Sequence, residues 1–341
     1  MTAMAPRVSA IVLAYRSEPL LEACVGALLS SSGVEVEVIL VDNGCTDGAV
    51  ERLRALDGLT VIAPGRNLGF AGGCNAGAAQ VTGDVIALIN GDAVVESGAI
   101  SALAAVAIRP KVGIATASLR LADSPELLNS AGNELHFLGF SWAGHFSERA
   151  ADHQKEVEVA SASGAAMAMR RDLWEALGGF EERYFAYHED AELSLRCRQR
   201  GLEIVFVPQA VVLHRYEFAR NPSKYYLMER NRLILVFTLF GAPTLVAIAP
   251  ALLLAEMGLL AVALLEGWGR QKVAGWWWVL RNFRWIRSRR WQLQQERTVG
   301  DRDLAGLWSD RFDTPLKPLP AILRPLDGAL AAYWSVARRL I

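Results

Sequence analysis

Apolar positions in the first hundred residues come in short blocks. Runs rich in β-branched residues recur at 8–15 (VSAIVLAY), 36–41 (VEVILV), 59–63 (LTVIA) and 84–89 (DVIALI). Between them the apolar spacing becomes helical, over 18–30 after the candidate cap Ser17, 48–56, 72–80 and 97–107. Strands without clean polar alternation, separated by helices, predict a parallel sheet covered on both faces. Ligands of such α/β sheets lie beyond the carboxyl ends of the strands. Residues 119–163 show no strong period, and the stretch "NSAGNELHFLGFSWAGH" within them reads as an adaptable loop or a surface excursion packed by its own aromatic residues.

A different pattern begins at residue 233. Residues 233–255 form an uncharged run of 23, and after Glu256 the apolar character continues to Leu265. That length suffices to cross a bilayer. Gly241, Pro243 and Pro250 interrupt it, so a re-entrant or shallow helical hairpin fits at least as well as a span. Six of the ten tryptophans fall between Trp268 and Trp291, where Arg270, Lys272, Arg281, Arg284, Arg287, Arg289, Arg290 and Arg297 meet the single acid Glu296. Tryptophan favours the headgroup level and clustered arginine favours anionic lipid, which predicts attachment to the cytoplasmic face of a membrane. Aromatic–basic interleaving also suits single-stranded nucleic acid, but the adjoining apolar run favours lipid.

The whole chain adds bounds. Its 341 residues allow one large domain and an appendage, and a formal charge of -1 advertises no nucleic-acid partner. Cys24, Cys45, Cys74 and Cys197 lack metal or redox spacing. "MTAMAPR" has no apolar core of the secretory kind, so the first domain is expected to stay in the cytoplasm.

The chemistry is sought where strands end. After the first strand, "AYRSEP" is no glycine-rich phosphate loop. After the second, "VDNGCTDG" puts Asp42 at a strand tip, suited to a base or ribose and equally to an Asx turn. After the third, "PGRNLGFAGGCNAG" joins glycines for close backbone approach to Arg66, Asn67 and Asn75. After the fourth, "LINGDAVVES" carries Asn90 and Asp92, one of them a hard oxygen ligand for Mg²⁺ or Mn²⁺. Further on, "YFAYHEDAELSLRCRQRG" places Glu189 and Asp190 at a helix start, where acids suit the dipole as well as catalysis. Arg196, Arg198 and Arg200 then sit near the opposite pole.

These sites, in this order and ending in "ALGGFEERYFAYHEDAELSLR", resemble the family 2 glycosyltransferases over roughly residues 8–220. The wording is nearest the rhamnosyltransferase-like branch that extends lipid-linked glycans in bacteria. The resemblance implies a GT-A fold, a Rossmann-like, mostly parallel sheet. It implies a domain over 1–220, with a nucleotide-sugar half to about 118 and an acceptor half over 119–220, followed by a helical membrane-associating region over 221–341. It further implies a donor set of Tyr15, Asp42, Arg66, Asn67, Gly72, Asn75, Asn90 and Asp92. A Mg²⁺ or Mn²⁺ ion falls on Asp92 and His214, the general base is Asp190, and Glu189 orients that base or joins Trp142 at the acceptor. Asn90 departs from the acidic first position of the metal motif, and Gly91 from the commoner proline. The expected activity is inverting transfer from a nucleotide diphosphate, dTDP-rhamnose first and a UDP-hexose or UDP-galactofuranose as alternatives, to a polyprenyl-diphosphate-linked glycan. A non-catalytic nucleotide-sugar sensor on the same fold is the rival.

Overall fold

A computed structural model describes residues 6–215, 223–312 and 324–341, so part of "MTAMAPR" lies outside it. The four predicted strands form as β1 (Arg7–Arg16), β2 (Glu35–Cys45), β3 (Leu59–Ile62) and β4 (Val85–Asn90), joined by α1 (Leu21–Leu29), α2 (Ala49–Leu53) and α3 (Gly69–Ala78). They pair in parallel in the order β3-β2-β1-β4. Ile11, Ile39, Ile86 and Leu88 pack on one face and Val8, Val12, Val38 and Ile89 on the other, which is why these strands lack polar alternation. Ser17 does not cap α1, which begins at Leu21 without a side-chain cap. Asp47 instead holds the turn, accepting from the Glu18 and Ala49 N–H groups at 2.9 and 3.1 Å.

The chain then adds β5 (Ala93–Val95), α4 (Ala99–Ala107), β6 (Val112–Leu121), β7 (Ser124–Ser130), β8 (Asn133–His136), β9 (Ser141–Ala143), β10 (Val157–Glu158), β11 (Ala166–Arg170), α5 (Arg171–Leu177), α6 (Glu189–Gln199) and β12 (Glu203–His214). Strand β11 enters antiparallel between β4 and β6, and β12 lies beside β6. The aperiodic segment 119–163 therefore carries the end of β6 and the short strands β7 to β10, separated by turns. Its short strands have mixed burial, which erased the period-two signal.

The chain divides into two compact units, the first comprising residues 1–133, 143–197 and 202–217, the second 134–142, 198–201 and 218–341. The second contains α7 (Lys224–Leu239), α8 (Ala242–Leu265), α9 (Gly269–Arg281), α10 (Phe283–Glu296), α11 (Asp301–Leu304), β13 (Trp308–Ser309) and α12 (Arg324–Ala337). The uncharged run is not one element. Extended backbone at Phe240 and Gly241 splits it, leaving residues 233–239 at the buried end of α7. Arg290 and Gln294 donate to the carbonyls that α7 leaves open at Phe237, Phe240, Thr238 and Leu239. Glu256 of α8 turns inward to Arg232, Lys272 and the Trp276 indole. Val246, Leu253, Leu254, Met257, Leu264 and Leu265 face outward.

Candidate active site

Register places the first two sites. Ala14 of β1 stands opposite Asp42 and Leu13 opposite Asn90, so both residues flank the tip from which Tyr15 emerges, exposed. The Arg16 guanidinium lies over the Tyr15 ring, 5.2 Å from its centroid. Asp42 serves its turn with one oxygen: Oδ1 accepts from the Gly44 and Cys45 N–H groups at 3.2 and 2.9 Å. Oδ2 has no partner among the described residues, so the turn leaves a carboxylate oxygen for a ligand.

The glycine-rich segment is built differently from expectation. Helix α3 begins at Gly69, three residues before the predicted start. Gly69 has φ +72°, and a Cβ there would enter the Phe185 carbonyl and ring, while the Ala71 N–H donates to that carbonyl at 3.1 Å. Gly77 lets α3 lie directly on Ile11 and Val41. Much of the glycine content thus serves helix–strand and loop–loop contact. Gly72, read as a donor contact, is buried within α3 beside Leu68. Asn75, also read as a donor contact, has its carboxamide taken up by the chain: Oδ1 accepts from the Phe180 N–H at 3.0 Å and Nδ2 donates to the Phe180 carbonyl at 2.9 Å and to Glu182 at 3.2 Å. Asn67 Oδ1 accepts from the Gly69 N–H at 2.8 Å, which leaves its amide nitrogen and the exposed Arg66 side chain toward solvent. Asn43, which the sequence pattern did not single out, is buried and ties β2 to this loop through the Leu68 N–H and the Gly69 carbonyl, at 2.8 and 3.0 Å.

Asp92 and His214, 122 positions apart, are brought together because β5 runs antiparallel to β12 with Ala93 opposite His214. His214 Nε2 lies 3.3 Å from Asp92 Oδ1, and His214 Nδ1 lies 2.8 Å from Asn129 Oδ1. An Nδ1–H donated to Asn129 turns the Nε2 lone pair toward the carboxylate. Two electron-rich atoms converging in this way fit a divalent cation that accepts oxygen and imidazole together, as Mn²⁺ does. The neutral Asn90 side chain is half-buried beside them, and its N–H donates to the Ala165 carbonyl at 2.9 Å.

That last bond links the two halves of the site. Gly164, next to Ala165, donates its N–H to Asp190 Oδ2 at 3.0 Å. The peptide pair that holds the end of β4 therefore also holds Asp190, on the side of the sheet where β2 passes Asp42 and β4 ends at Asn90. Asn133 Nδ2 adds a 3.4 Å contact to Asp190 Oδ2, and the Ala191 N–H reaches Oδ1 at 2.8 Å. Just before the pair, Phe185, Tyr187 and His188 take φ of 64°, 71° and 69°. Left-handed backbone in three such residues costs on the order of 1–3 kcal/mol each and persists because neighbouring contacts enforce it.

The two acids are electrostatically unequal. Burial pushes the Glu189 carboxyl well above its usual range, and the Asp190 charge pushes further. Glu189 Oε2 is buried without a hydrogen-bond partner among the described residues, a position a neutral carboxyl tolerates and a carboxylate does not. Burial raises Asp190 as well, opposed by the N–H groups of Gly164 and Ala191. Burial thus favours the protonated form more strongly at Glu189 than at Asp190, whose carboxylate the Gly164 and Ala191 N–H groups support. Arg196 is not a solvent-facing dipole partner but is buried, paired with Glu192 at 2.7 Å, and donates to the Leu177 and Gly179 carbonyls at 2.7 and 2.6 Å. Trp142 belongs to the second unit, half-buried in an aromatic group with His136 and Phe312. Burial among these rings depresses the His136 pKa to about 3.

A profile of the family described as "Glycosyltransferase like family 2" matches residues 6–234. An N-acetylglucosaminyl-diphospho-decaprenol L-rhamnosyltransferase of Mycobacterium tuberculosis is 28% identical over 243 residues, covering 63% of this chain and 78% of the relative. Among solved structures, GalNAc-T7 with UDP, GalNAc and Mn²⁺ superposes with a TM-score of 0.59 at 15% identity over 69% of this chain, which covers about half (49%) of that one. S. aureus TarS in complex with UDP-GlcNAc gives 0.54 at 15% identity over 98% of this chain and 89% of the other. The mostly parallel sheet is that of GT-A glycosyltransferases. The chain belongs to the glycosyltransferase-like family 2 and is a glycosyltransferase.

Proposed function

We propose that this enzyme moves a sugar, with inversion, from a nucleotide diphosphate to a hydroxyl of a lipid-linked glycan. The observation that carries this reading is the hold of Gly164 on Asp190 beside the Ala165 carbonyl that meets the end of β4, the strand that leads into Asp92 and its partner His214. An acceptor hydroxyl attacking the anomeric carbon must lose its proton as the nucleotide diphosphate leaves from the opposite face, and Asp190 takes that proton. Asn133 and the Gly164 N–H aim the carboxylate. Neutral Glu189 keeps a second negative charge out of the site. Asp92 and His214 would hold a divalent cation, whose charge would offset the charge growing on the diphosphate. Tyr15, Asp42, Arg66 and Asn67 surround the nucleotide, and Gly72 and Asn75 shape the helix α3 that follows Arg66 and Asn67.

For the sugar we favour L-rhamnose and for the acceptor a polyprenyl-diphosphate glycan, on the strength of the mycobacterial relative's name, and for the nucleotide dTDP, on the sequence resemblance to the rhamnosyltransferase-like branch. A donor screen with membrane-extracted acceptor lipid, following release of nucleotide diphosphate, tests both. Release only from a UDP-hexose or UDP-galactofuranose would replace the donor, and no release from any donor would favour the sensor. Asp92→Ala is expected to weaken metal-dependent donor binding by at least about tenfold. Asn129→Ala should do so by a similar factor, as loss of an imidazole-orienting partner typically does. Calorimetric titration of nucleotide sugar with and without Mn²⁺ checks this; equal affinities in all three proteins would remove the assignment.

The second unit supports attachment to the membrane surface. Lys272 is fully buried, Arg290 binds the end of α7, and Arg297 pairs with Asp301 at 2.6 Å. That leaves Arg270, Arg281, Arg284 and Arg287 exposed beside Val273, Trp277, Leu280, Phe283 and Trp291. With the outward face of α8, a helix of 24 residues whose most apolar 18-residue stretch has mean hydropathy 2.3 and which is long enough to cross a bilayer, these residues suit an interfacial seat on anionic lipid. Each arginine near such a surface contributes about 1 kcal/mol, so Arg284→Glu with Arg287→Glu should weaken binding to anionic vesicles by at least thirtyfold or so. Flotation with anionic against neutral vesicles measures it, and indifference to both charge changes would count against this seat.

A further inference from the structure

The loop after β9 brings together side chains that the sequence leaves apart and that the transfer reaction does not use. His153 Nε2 lies 2.7 Å from Glu148 Oε2, and His145 Nδ1 lies 3.2 Å from both oxygens of the same carboxylate. The two imidazole rings stand 4.3 Å apart, and one ligand atom from each residue falls within 4.8 Å of the others. The backbone beneath is stitched down. Leu128 and Glu148 exchange strand-like bonds through Leu128 N–H to Glu148 carbonyl and Ser147 N–H to Leu128 carbonyl, both at 2.8 Å. Gly144 exchanges bonds with Ala131 and Gly132 at 3.1 and 2.9 Å, and Ala150 is buried with Leu128 and Phe206. His145 and Ser147 are held at φ of 59° and 63° within this frame. The ligand atoms thus rise from fixed backbone, and all belong to the first unit.

We infer that His145, Glu148 and His153 form a second metal site, one for a borderline transition ion of the Zn²⁺ class, acting as a clip on this loop. Two imidazoles and one carboxylate are a zinc-type donor set, whereas Mg²⁺ takes oxygen ligands and retains water. The three atoms already surround a common point, so binding requires displacement of the shared protons and a small opening of the ring pair. A bound ion tethers a residue in left-handed backbone to two others, the farther of them eight positions along. Bound to the folded chain and not to the unfolded one, it stabilises the folded state by RT ln(1 + c/Kd), with c the free ion concentration. The site shares no residue with Asp92 and His214, so its presence is independent of the donor-site reading.

The test is a Zn²⁺ titration of tag-free protein by calorimetry, paired with thermal unfolding. One equivalent should bind and raise the Tm, whereas Mg²⁺ at the same concentration should not. His145→Ala and His153→Ala should each weaken that binding by at least about tenfold and abolish the Tm shift while leaving the transfer rate unchanged. Asp92→Ala should retain the shift. Zinc binding that survives both histidine substitutions, or that disappears with Asp92→Ala, would overturn the assignment; so would absence of binding in the unaltered protein. Circular dichroism of the histidine variants confirms that they fold.

Discussion

Asp190→Asn is expected to slow sugar transfer by a factor of about 10²–10⁴, the usual contribution of a positioned general base, while nucleotide-sugar affinity stays within about twofold. The substitution keeps the size of the side chain and its bond from Gly164 while removing the ability to accept a proton. Glu189→Gln provides the contrast. Because burial favours the neutral form of Glu189, glutamine resembles that form, and the variant should retain most of its transfer rate. Burial raises the Asp190 carboxyl, so the acid limb of kcat/KM should lie above the ordinary aspartate range and fall as pH drops through it. Stability carries the opposite sign for Glu189. With a folded pKa above the unfolded one, its contribution is full below the ordinary glutamate range and is lost as pH rises toward the folded value. Single-turnover rates and donor titrations across pH separate these outcomes. Normal turnover by the Asp190→Asn variant would remove Asp190 as the base. A Glu189→Gln variant as inactive as Asp190→Asn would mean that Glu189 is needed as an anion.

Arg196→Ala is expected to have the largest effect on folding. Arg196 and Glu192 are both buried, so losing the arginine strands a carboxylate in the interior and leaves the Leu177 and Gly179 carbonyls without their donor. Breaking one side of a buried ion pair costs about 3–5 kcal/mol, on the order of 10 °C in Tm for a unit of this size. Arg196→Met with Glu192→Leu should recover much of that loss, because paired apolar side chains of similar volume leave no charge stranded. Arg196→Lys should fall in between, since an ammonium cannot fork to two carbonyls and a carboxylate together. The same contact joins the "LGGF" turn to α6, so Arg196→Ala should also lower the transfer rate below the unfolding transition. Denaturation followed by circular dichroism, with activity measured well below the midpoint, checks both. Additive single-residue losses, with no recovery in the double variant, would count against this coupling.

The linear pattern of residues determined the parallel core, because strands covered on both faces lack regular polar alternation, and the runs that became β1, β2 and β4 lack it. It also marked the strand tips at which chemistry was sought, since Asp42 and Asn90 each follow such a run directly and Asp92 comes two residues later. Tertiary structure alone decided the rest. Asn43, Asn129 and Asn133 orient Asn67, His214 and Asp190 through side-chain bonds across 24, 85 and 57 positions, and no local period records contacts of that kind. Asn129 and Asn133 stand in the "NSAGNE" stretch, where their polar character was visible but their targets were not. Asn75 and Gly77 show the converse: residue types that suit a ligand loop were drawn into packing, because Phe180 and Ile11 lie where a ligand was expected. In the apolar run, composition established enough greasy length for a bilayer. Only the fold showed Gly241 dividing it and Glu256 turned inward, since burial of a charge depends on what partner faces it rather than on its neighbours in the chain.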